Sequence, residues 1–92
     1  MFCYNDELAY GVIEALKDEN VKIPEDVAIV GYDDLEFSKL ISPSLTSVKF
    51  DRYHLGYRAV EMLLERLENP SMEPRLEFVD VDLVIRESTV GV

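Results

Sequence analysis

A short apolar run that ends in glycine and two acids constrains this fold more than any other feature. Residues Val27 to Asp34 read V-A-I-V-G-Y-D-D. A run of this kind suits a strand that is covered on both faces, as in a parallel sheet. We therefore predict a buried strand, ended by Gly31, that delivers Asp33 and Asp34 to a ligand-facing loop.

A helix is predicted to precede this strand. Asn5 or Asp6 suits its N-cap, because both residue types accept hydrogen bonds from the free amides of the first turn. The helix should end near Glu19, and Met1 to Tyr4 reads as the end of an earlier strand. Strand, helix and strand make a right-handed βαβ unit, whose functional edge lies at the carboxyl ends of the strands. We therefore expect Asn5 at the same edge as the acid pair. The apolar positions of the helix are Leu8, Val12, Ile13 and Leu16.

The second half of the chain predicts a further strand and a longer helix. Leu35 to Ser44 reads as a loop or short irregular helix, and Leu45 to Phe50 as a strand. Asp51 is predicted to cap a helix that continues to about Glu68. Leu76 to Arg86 then alternates between apolar and polar residues, which is typical of a strand. The predicted buried stripe of the long helix consists of Leu55, Ala59, Val60, Leu63, Leu64 and Leu67.

Size and charge exclude several classes of protein. The chain has 92 residues, of which 48% are hydrophobic and 30% charged, as expected for one small globular domain. Its net charge of −10 disfavours binding to nucleic acid, because that binding depends on Lys and Arg. The single cysteine, Cys3, excludes an internal disulfide and a cysteine zinc cluster. Because no apolar run approaches the ~20 residues of a membrane span and no signal peptide is visible, we expect a cytoplasmic protein without a membrane partner.

The sequence offers no convincing catalytic arrangement. His54 is the only histidine, and no nucleophile–base pair is apparent around it. Ser38, Ser42, Ser44 and Ser47 lie in no nucleophile-elbow pattern. We therefore predict no catalytic residue, no cofactor and no metal site, so the chain should not be an enzyme.

Five short blocks follow one another over nearly the whole chain. They read N-D-E-L-A-Y-G at 5–11, I-P-E-D-V-A-I-V-G-Y-D-D at 23–34, P-S-L-T-S-V at 43–48, L-G-Y-R-A-V at 55–60 and L-V-I-R-E-S-T at 83–89. In this order they resemble the LacI/GalR family of bacterial transcriptional repressors. The resemblance implies an α/β fold with βαβ units and a parallel sheet, part of a type I periplasmic-binding-protein-like, flavodoxin-like lobe.

The resemblance also implies how the chain is organised. Residues 1–50 would form a βαβ segment of the C-terminal lobe of the sensor domain. Residues 51–92 would form a crossover helix and terminal strands that pack on the N-terminal lobe in a full-length protein. The expected function is partial sensing of a sugar or other small effector, together with dimerisation. DNA would be bound only through a helix-turn-helix headpiece that these residues do not contain.

The same resemblance indicates ligand-binding residues. Asp33 would accept hydrogen bonds from an effector, and Asn5 would add amide donors and an acceptor. The alternative for Asp33 is a local Asx turn, and for Asn5 simple N-capping. Asp6 is assigned mainly to capping, and Asp34 to positioning of the loop. Tyr32 is expected to be a packed ring with its hydroxyl at the surface.

Two surfaces are candidates for self-association. By resemblance, the outer face of the first helix and the loop after the acid pair help to form the sensor dimer. This surface includes Tyr10, Phe37, Leu40 and Ile41, whose alternative is to fold back on the core. The 51–68 helix is the second surface, since its apolar stripe needs a partner in an exchanged dimer or a repacked fold.

Two other classes remain open at this stage. A periplasmic sugar-binding protein shares the implied fold, but P-E-D at 24–26 and R-E-S-T at 86–89 favour a repressor. Residues upstream of Met1 would separate these two classes. The acid pair also resembles the magnesium site of phospho-receiver domains, although a hard cation needs more oxygen ligands than this pair provides. Titration with magnesium and beryllofluoride would test that class.

Overall fold

The described residues form two helices, three short strands and one 3-10 turn. The structure, a computed structural model, describes residues 1–90. In chain order the elements are α1 (Asp6–Asp18), β1 (Val30–Tyr32), the 3-10 turn (Glu36–Lys39), β2 (Thr46–Lys49), α2 (Arg52–Glu68) and β3 (Asp82–Val84). They fall into two compact units. The first contains Met1–Lys49 and the described residues from Asp82 onward, and the second contains Phe50–Val81.

The first unit is built on a mixed sheet in the order β1-β2-β3. β1 runs parallel to β2, with Val30 opposite Thr46. β2 runs antiparallel to β3, with Val48 opposite Leu83. Phe2 forms a single parallel bridge with Val30, so a short strand-like segment beside β1 precedes α1. The predicted α/β class with parallel pairing is confirmed.

α1 begins and ends where its capping residues predict. Asn5 is the N-cap, and its side chain accepts a hydrogen bond of 2.8 Å from the amide of Leu8. Glu19 caps the other end. The inner face of the helix packs into the core of the unit, which consists of Cys3, Ala9, Ile13, Ile29 and Leu45. The predicted first helix is therefore confirmed.

The predicted strand at 27–30 is displaced along the chain. Its assigned strand is Val30–Tyr32, so Gly31 lies inside the strand and does not end it. Ile29 is fully buried, but its amide donates to the carbonyl of Ser88, outside any strand. A Cβ at Gly31 would collide with the carboxylate of Asp6 and approach Leu45 Cδ2 to 2.8 Å. The glycine therefore allows close packing within the strand.

The other predicted elements agree with the structure except at the end of the chain. The 3-10 turn lies within the predicted irregular segment, and β2 lies within the predicted strand. α2 is capped by Asp51, whose carboxylate accepts from the amide of His54 at 2.9 Å. The prediction of a strand over Leu76 to Arg86 is wrong, since only Asp82–Val84 is a strand. Only these three residues pair with β2; the alternating pattern between 76 and 81 has no strand partner.

The second unit consists of α2 and the irregular segment that follows it. No residue of α2 is buried, so the prediction of a buried stripe on this helix is wrong. The reason is that, within this unit, α2 is followed only by an irregular segment of 13 residues, which is too little to cover the stripe. Charged pairs join the two parts, because Arg58 bonds Glu77 at 2.7 Å and Arg75 bonds Glu65. The hydrogen bond from Arg75 is the main reason that the pKa of Glu65 lies below its usual value. Exposed apolar residues of α2 are Leu55, Val60, Leu63, Leu64 and Leu67.

Close packing around Gly31 predicts that a methyl group added there destabilises the fold, whereas a methyl group added at Gly11 does not. We expect Gly31→Ala to lower the free energy of unfolding by about 1–3 kcal/mol, because neither a buried carboxylate nor a core leucine can withdraw freely. Gly11→Ala is the matched control: Gly11 lies in α1 with open space around its Cβ position, and alanine should stabilise the helix by about 0.5–1 kcal/mol. Urea unfolding followed by circular dichroism measures both. Equal effects of the two substitutions would contradict the packing argument.

Candidate functional site

Asn5 and Asp33 line the same open cavity, of about 410 Å³, in the first unit. Asn5 follows the segment that pairs with β1, and Asp33 follows β1 itself. Because the two segments are parallel, their carboxyl ends meet at one edge, as the sequence predicted. The remaining lining residues are three aromatic side chains, Phe2, Tyr4 and Tyr32. Amide, carboxylate and aromatic groups together suit a small ligand with hydroxyl groups.

Capping of α1 uses only the side-chain oxygen of Asn5. Its Oδ1 accepts the amide proton of Leu8. A primary amide also carries two N–H donors on Nδ2, which capping does not use. N-capping and ligand contact are therefore compatible at Asn5, since they draw on different atoms of the same side chain.

The loop after β1 has an uncommon backbone. Asp33 has φ 114° and Asp34 has φ 53°, so two consecutive residues with side chains lie in the region that glycine favours. The amide of Asp33 donates to the carbonyl of Val48 at 2.9 Å. An Asx turn at Asp33 would draw on the amide of Leu35, but that amide donates to Asp6 at 2.8 Å.

Arg86 reaches this loop from the end of the chain. Its Nη2 lies 2.7 Å from Oδ1 of Asp34, and Nη1 donates to the carbonyl of Leu45 at 2.8 Å. The Asp34 contact is an ion pair without an aligned hydrogen bond at Oδ1. The sequence placed Arg86 in a closing block but did not single it out. Only the tertiary structure joins two residues that lie 52 positions apart.

Asp6 is the residue that the sequence assigned wrongly. Asn5 provides the cap, whereas Asp6 is fully buried. Its Oδ2 accepts from the amide of Leu35 at 2.8 Å and from Oγ of Ser38 at 2.6 Å, and its Oδ1 accepts from Oγ of Ser47 at 2.6 Å. These donors lie 29, 32 and 41 positions away, so no local pattern indicates them.

The hydroxyl of Tyr10 continues this network. An ionised carboxylate only accepts, so Ser38 gives its proton to Asp6. The 2.6 Å contact between Tyr10 and Ser38 is then a hydrogen bond donated by Tyr10. The ring of Tyr10 also contacts Phe37 edge-on, with centroids 5.2 Å apart. Burial is the main cause that raises the pKa of Tyr10 above its usual value.

The residues predicted for self-association lie together on one surface. A second open cavity, of about 490 Å³, is lined by Tyr10, Phe37, Leu40 and Ile41, and also by part of the outer face of α1. Phe37 and Leu40 are 55% and 75% exposed, so the alternative of complete folding back on the core does not hold for them. Ile41 packs partly against the core.

Two further residues named in the sequence analysis are His54 and Cys3. His54 is exposed in the first turn of α2, and Cys3 is buried, with a thiol pKa raised mainly by that burial. Among residues 1–90 no group of three or more His, Cys, Asp or Glu side chains could hold a metal ion. None of the described helices is long and apolar enough to cross a membrane.

In open α/β sheets, ligands characteristically bind at the carboxyl ends of the strands, and the cavity at Asn5 and Asp33 lies at such an edge. The family model of the periplasmic binding protein-like domain matches residues 1–89. The chain belongs to this family. Its relatives confirm the predicted resemblance to the C-terminal part of the effector-binding region of LacI/GalR regulators.

Named relatives are transcriptional regulators. The HTH-type transcriptional repressor PurR of Pasteurella multocida is 40% identical over 88 residues, which cover 96% of this chain and 26% of that protein. The ribose operon repressor of Haemophilus influenzae is 38% identical over 88 residues, with the same coverage. The chain thus spans about a quarter of the length of these curated relatives.

Solved structures agree. A putative LacI-family regulator from Sanguibacter keddieii is 41% identical, with a TM-score of 0.84 over 98% of this chain and 35% of that one. A LacI-family regulator from Enterococcus faecium with bound ribose is 34% identical, with a TM-score of 0.80 over 99% of this chain and 34% of that one. These relatives are regulators and not enzymes.

The buried network predicts a strong effect of neutralising Asp6. In Asp6→Asn an amide group replaces one carboxylate oxygen and cannot accept from its former donor. We expect the free energy of unfolding to fall by about 2 kcal/mol, since hydrogen bonds to charged groups contribute about 1.5–3 kcal/mol. The control Glu14→Gln, at an exposed position of α1, should change it by less than about 0.5 kcal/mol. A tolerated Asp6→Asn would show that the network contributes little.

Proposed function

We propose that this chain is the C-terminal part of the effector-sensing and dimerisation domain of a LacI-type transcriptional regulator. Its cavity at Asn5 and Asp33 would bind one side of a small polar effector, most simply a sugar. The observation that carries this proposal is that both residues predicted to bind a ligand line one cavity. The relatives' names support the regulator over a periplasmic binding protein.

The chemistry of the cavity supports a carbohydrate. The carboxylate of Asp33 can accept from two hydroxyl groups, and the Nδ2 group of Asn5 can donate to a neighbouring oxygen. Phe2 and Tyr4 are 66% and 85% exposed, so their rings are available to an apolar sugar face. Two solved relatives are described with ribose and with cellobiose. We propose the same class of ligand here.

We further propose the arrangement of a full-length protein. Residues 1–50 would belong to the C-terminal lobe, and the crossover helix that begins after Asp51 would pack on an N-terminal lobe. The terminal strand β3, which the resemblance also assigned to that lobe, pairs instead with β2 in the first unit. The exposed apolar stripe of α2 supports this arrangement, since a missing lobe could cover it. DNA would be bound only through a headpiece outside these residues, and the protein would act in the cytoplasm. The opposite wall of the cleft would come from the other lobe, so the chain alone should bind weakly.

Neutralising Asp33 tests the ligand proposal. We expect Asp33→Asn to weaken binding of D-ribose by about tenfold or more, because a charge-assisted acceptor becomes a neutral amide. Chemical-shift titration by NMR measures the millimolar affinity expected of an incomplete cleft. Glu25→Gln is the control, since Glu25 is exposed and lies outside this cavity. Equal binding by the wild type and Asp33→Asn would refute the assignment of Asp33.

We also propose that the surface formed by Tyr10, Phe37, Leu40 and Ile41 mediates self-association. It combines exposed apolar side chains with the cavity beside α1, which is typical of contact surfaces. The helix at 51–68 is the second candidate surface, since its apolar stripe is also exposed. In a full-length protein that stripe would face the N-terminal lobe, whereas in this chain alone it could meet a second copy.

One charged substitution on each surface separates these possibilities. We expect Leu40→Lys to raise the dimer dissociation constant at least about tenfold, because burying a leucine contributes about 1.5–3 kcal/mol. Sedimentation equilibrium measures this constant. Val90→Lys, at an exposed apolar position outside this surface, is the control and should have no effect. If Leu63→Lys alone dissociated the dimer, α2 would be the association surface; a monomeric wild type would remove both.

A further inference from the structure

The backbone at Asp33 and Asp34 needs an external restraint, and Arg86 supplies it. We infer that Arg86 is a positioning residue for the ligand cavity: it holds the loop after β1 so that Asp33 lines the cavity with Asn5. This inference rests on the proposed function, because it concerns the same cavity. Arg86 does not line that cavity, so it acts through Asp34 and not by contact with a ligand.

The first argument is conformational. Residues with a side chain rarely adopt positive φ, and φ 114° at Asp33 lies well beyond the usual left-handed region near +57°. Such conformations persist only where the surrounding structure determines them, and they cluster at ligand-binding sites. Two in succession therefore require a strong local restraint.

Backbone hydrogen bonds supply only part of this restraint. The amide of Asp33 donates to Val48, and the amide of Asp34 donates to Oγ of Ser47 at 3.0 Å. Both bonds hold the loop to β2 from one side. Neither bond involves the side chain of Asp34.

The ion pair supplies the other part. The side chains of Arg86 and Asp34 are only 15% and 13% exposed, so solvent screens their 2.7 Å contact much less than it screens a surface pair. The guanidinium also donates to the carbonyl of Leu45, the residue before β2. One planar group thus ties the loop to the strand beside it, which a lysine could do only in part.

Arg86 is itself held firmly enough to serve as an anchor. Its amide donates to Oγ1 of Thr46 at 2.7 Å, and Thr46 Oγ1 also bonds its carbonyl at 3.1 Å. Two residues later, the buried hydroxyl of Ser88 donates to the carbonyl of Ile29 at 2.6 Å and accepts from the amide of Thr46. The closing segment therefore forms a rigid base beneath the loop.

Arg86→Met and Arg86→Lys test the inference in the complete 92-residue chain. Hydrogen exchange by NMR would follow the amides of Asp34 and Leu35 against that of Val30, a reporter in β1 that donates to the carbonyl of Met1. In Arg86→Met we expect exchange at the two loop amides to rise about tenfold relative to Val30, as for local opening. D-ribose binding should weaken about tenfold, and Arg86→Lys should recover part of both properties. The control Lys39→Met removes an exposed ion pair with Glu36 and should change neither.

Two other outcomes overturn the inference. Equal acceleration at Val30 and the loop would make Arg86 a general stabiliser of the fold. Unchanged ribose affinity with an opened loop would show that the cavity does not depend on its conformation. If the wild type does not bind ribose, the proposed ligand class fails, and exchange at the two loop amides then decides by itself whether Arg86 holds the loop.

Discussion

The buried carboxylate of Asp6 is the interaction on which the first unit depends. A charge without solvent is costly unless several donors surround it, and Asp6 receives three from Leu35, Ser38 and Ser47. These donors belong to the loop after β1, the 3-10 turn and β2, so one side chain at the start of α1 links three other segments. Gly31 gives that side chain the space it occupies.

The ligand cavity and the association surface at Tyr10 both lie next to this carboxylate. Asn5 precedes Asp6 in the chain and lines the ligand cavity. The amide of Leu35, which donates a hydrogen bond to Asp6, directly follows Asp33 and Asp34 in the loop after β1. On the other side, Ser38 connects Asp6 to Tyr10 at the association surface. The hydrogen-bonded carboxylate of Asp6 therefore positions polar groups on both sides of it, which the sequence analysis treated as unrelated. Its serine partners, Ser38 and Ser47, act as hydrogen-bond donors to the carboxylate.

Local signals predicted the helices well and the strands poorly. Asn5 and Asp51 cap their helices through amides three residues away, so the pattern and the contact lie in one short segment. Strand limits depend instead on which neighbour a segment pairs with. β1 therefore begins at Val30, late in the apolar run, and β3 keeps only three residues of a long alternating pattern. The sequence correctly predicted an apolar stripe on α2, but burial of that stripe requires a partner that the second unit does not contain.

By itself the sequence determined the α/β class, both helices, the cap of α2, the family, and a shared edge for Asn5 and Asp33, because each follows from local patterns or from ordered blocks. For the cap of α1 it left Asn5 and Asp6 as alternatives. Only the tertiary structure decided that Asp6 is a buried acceptor and that Arg86 pairs with Asp34. The physical reason is distance along the chain. A buried charge is stabilised by whichever donors the fold brings to it, and here every one of them comes from a remote segment.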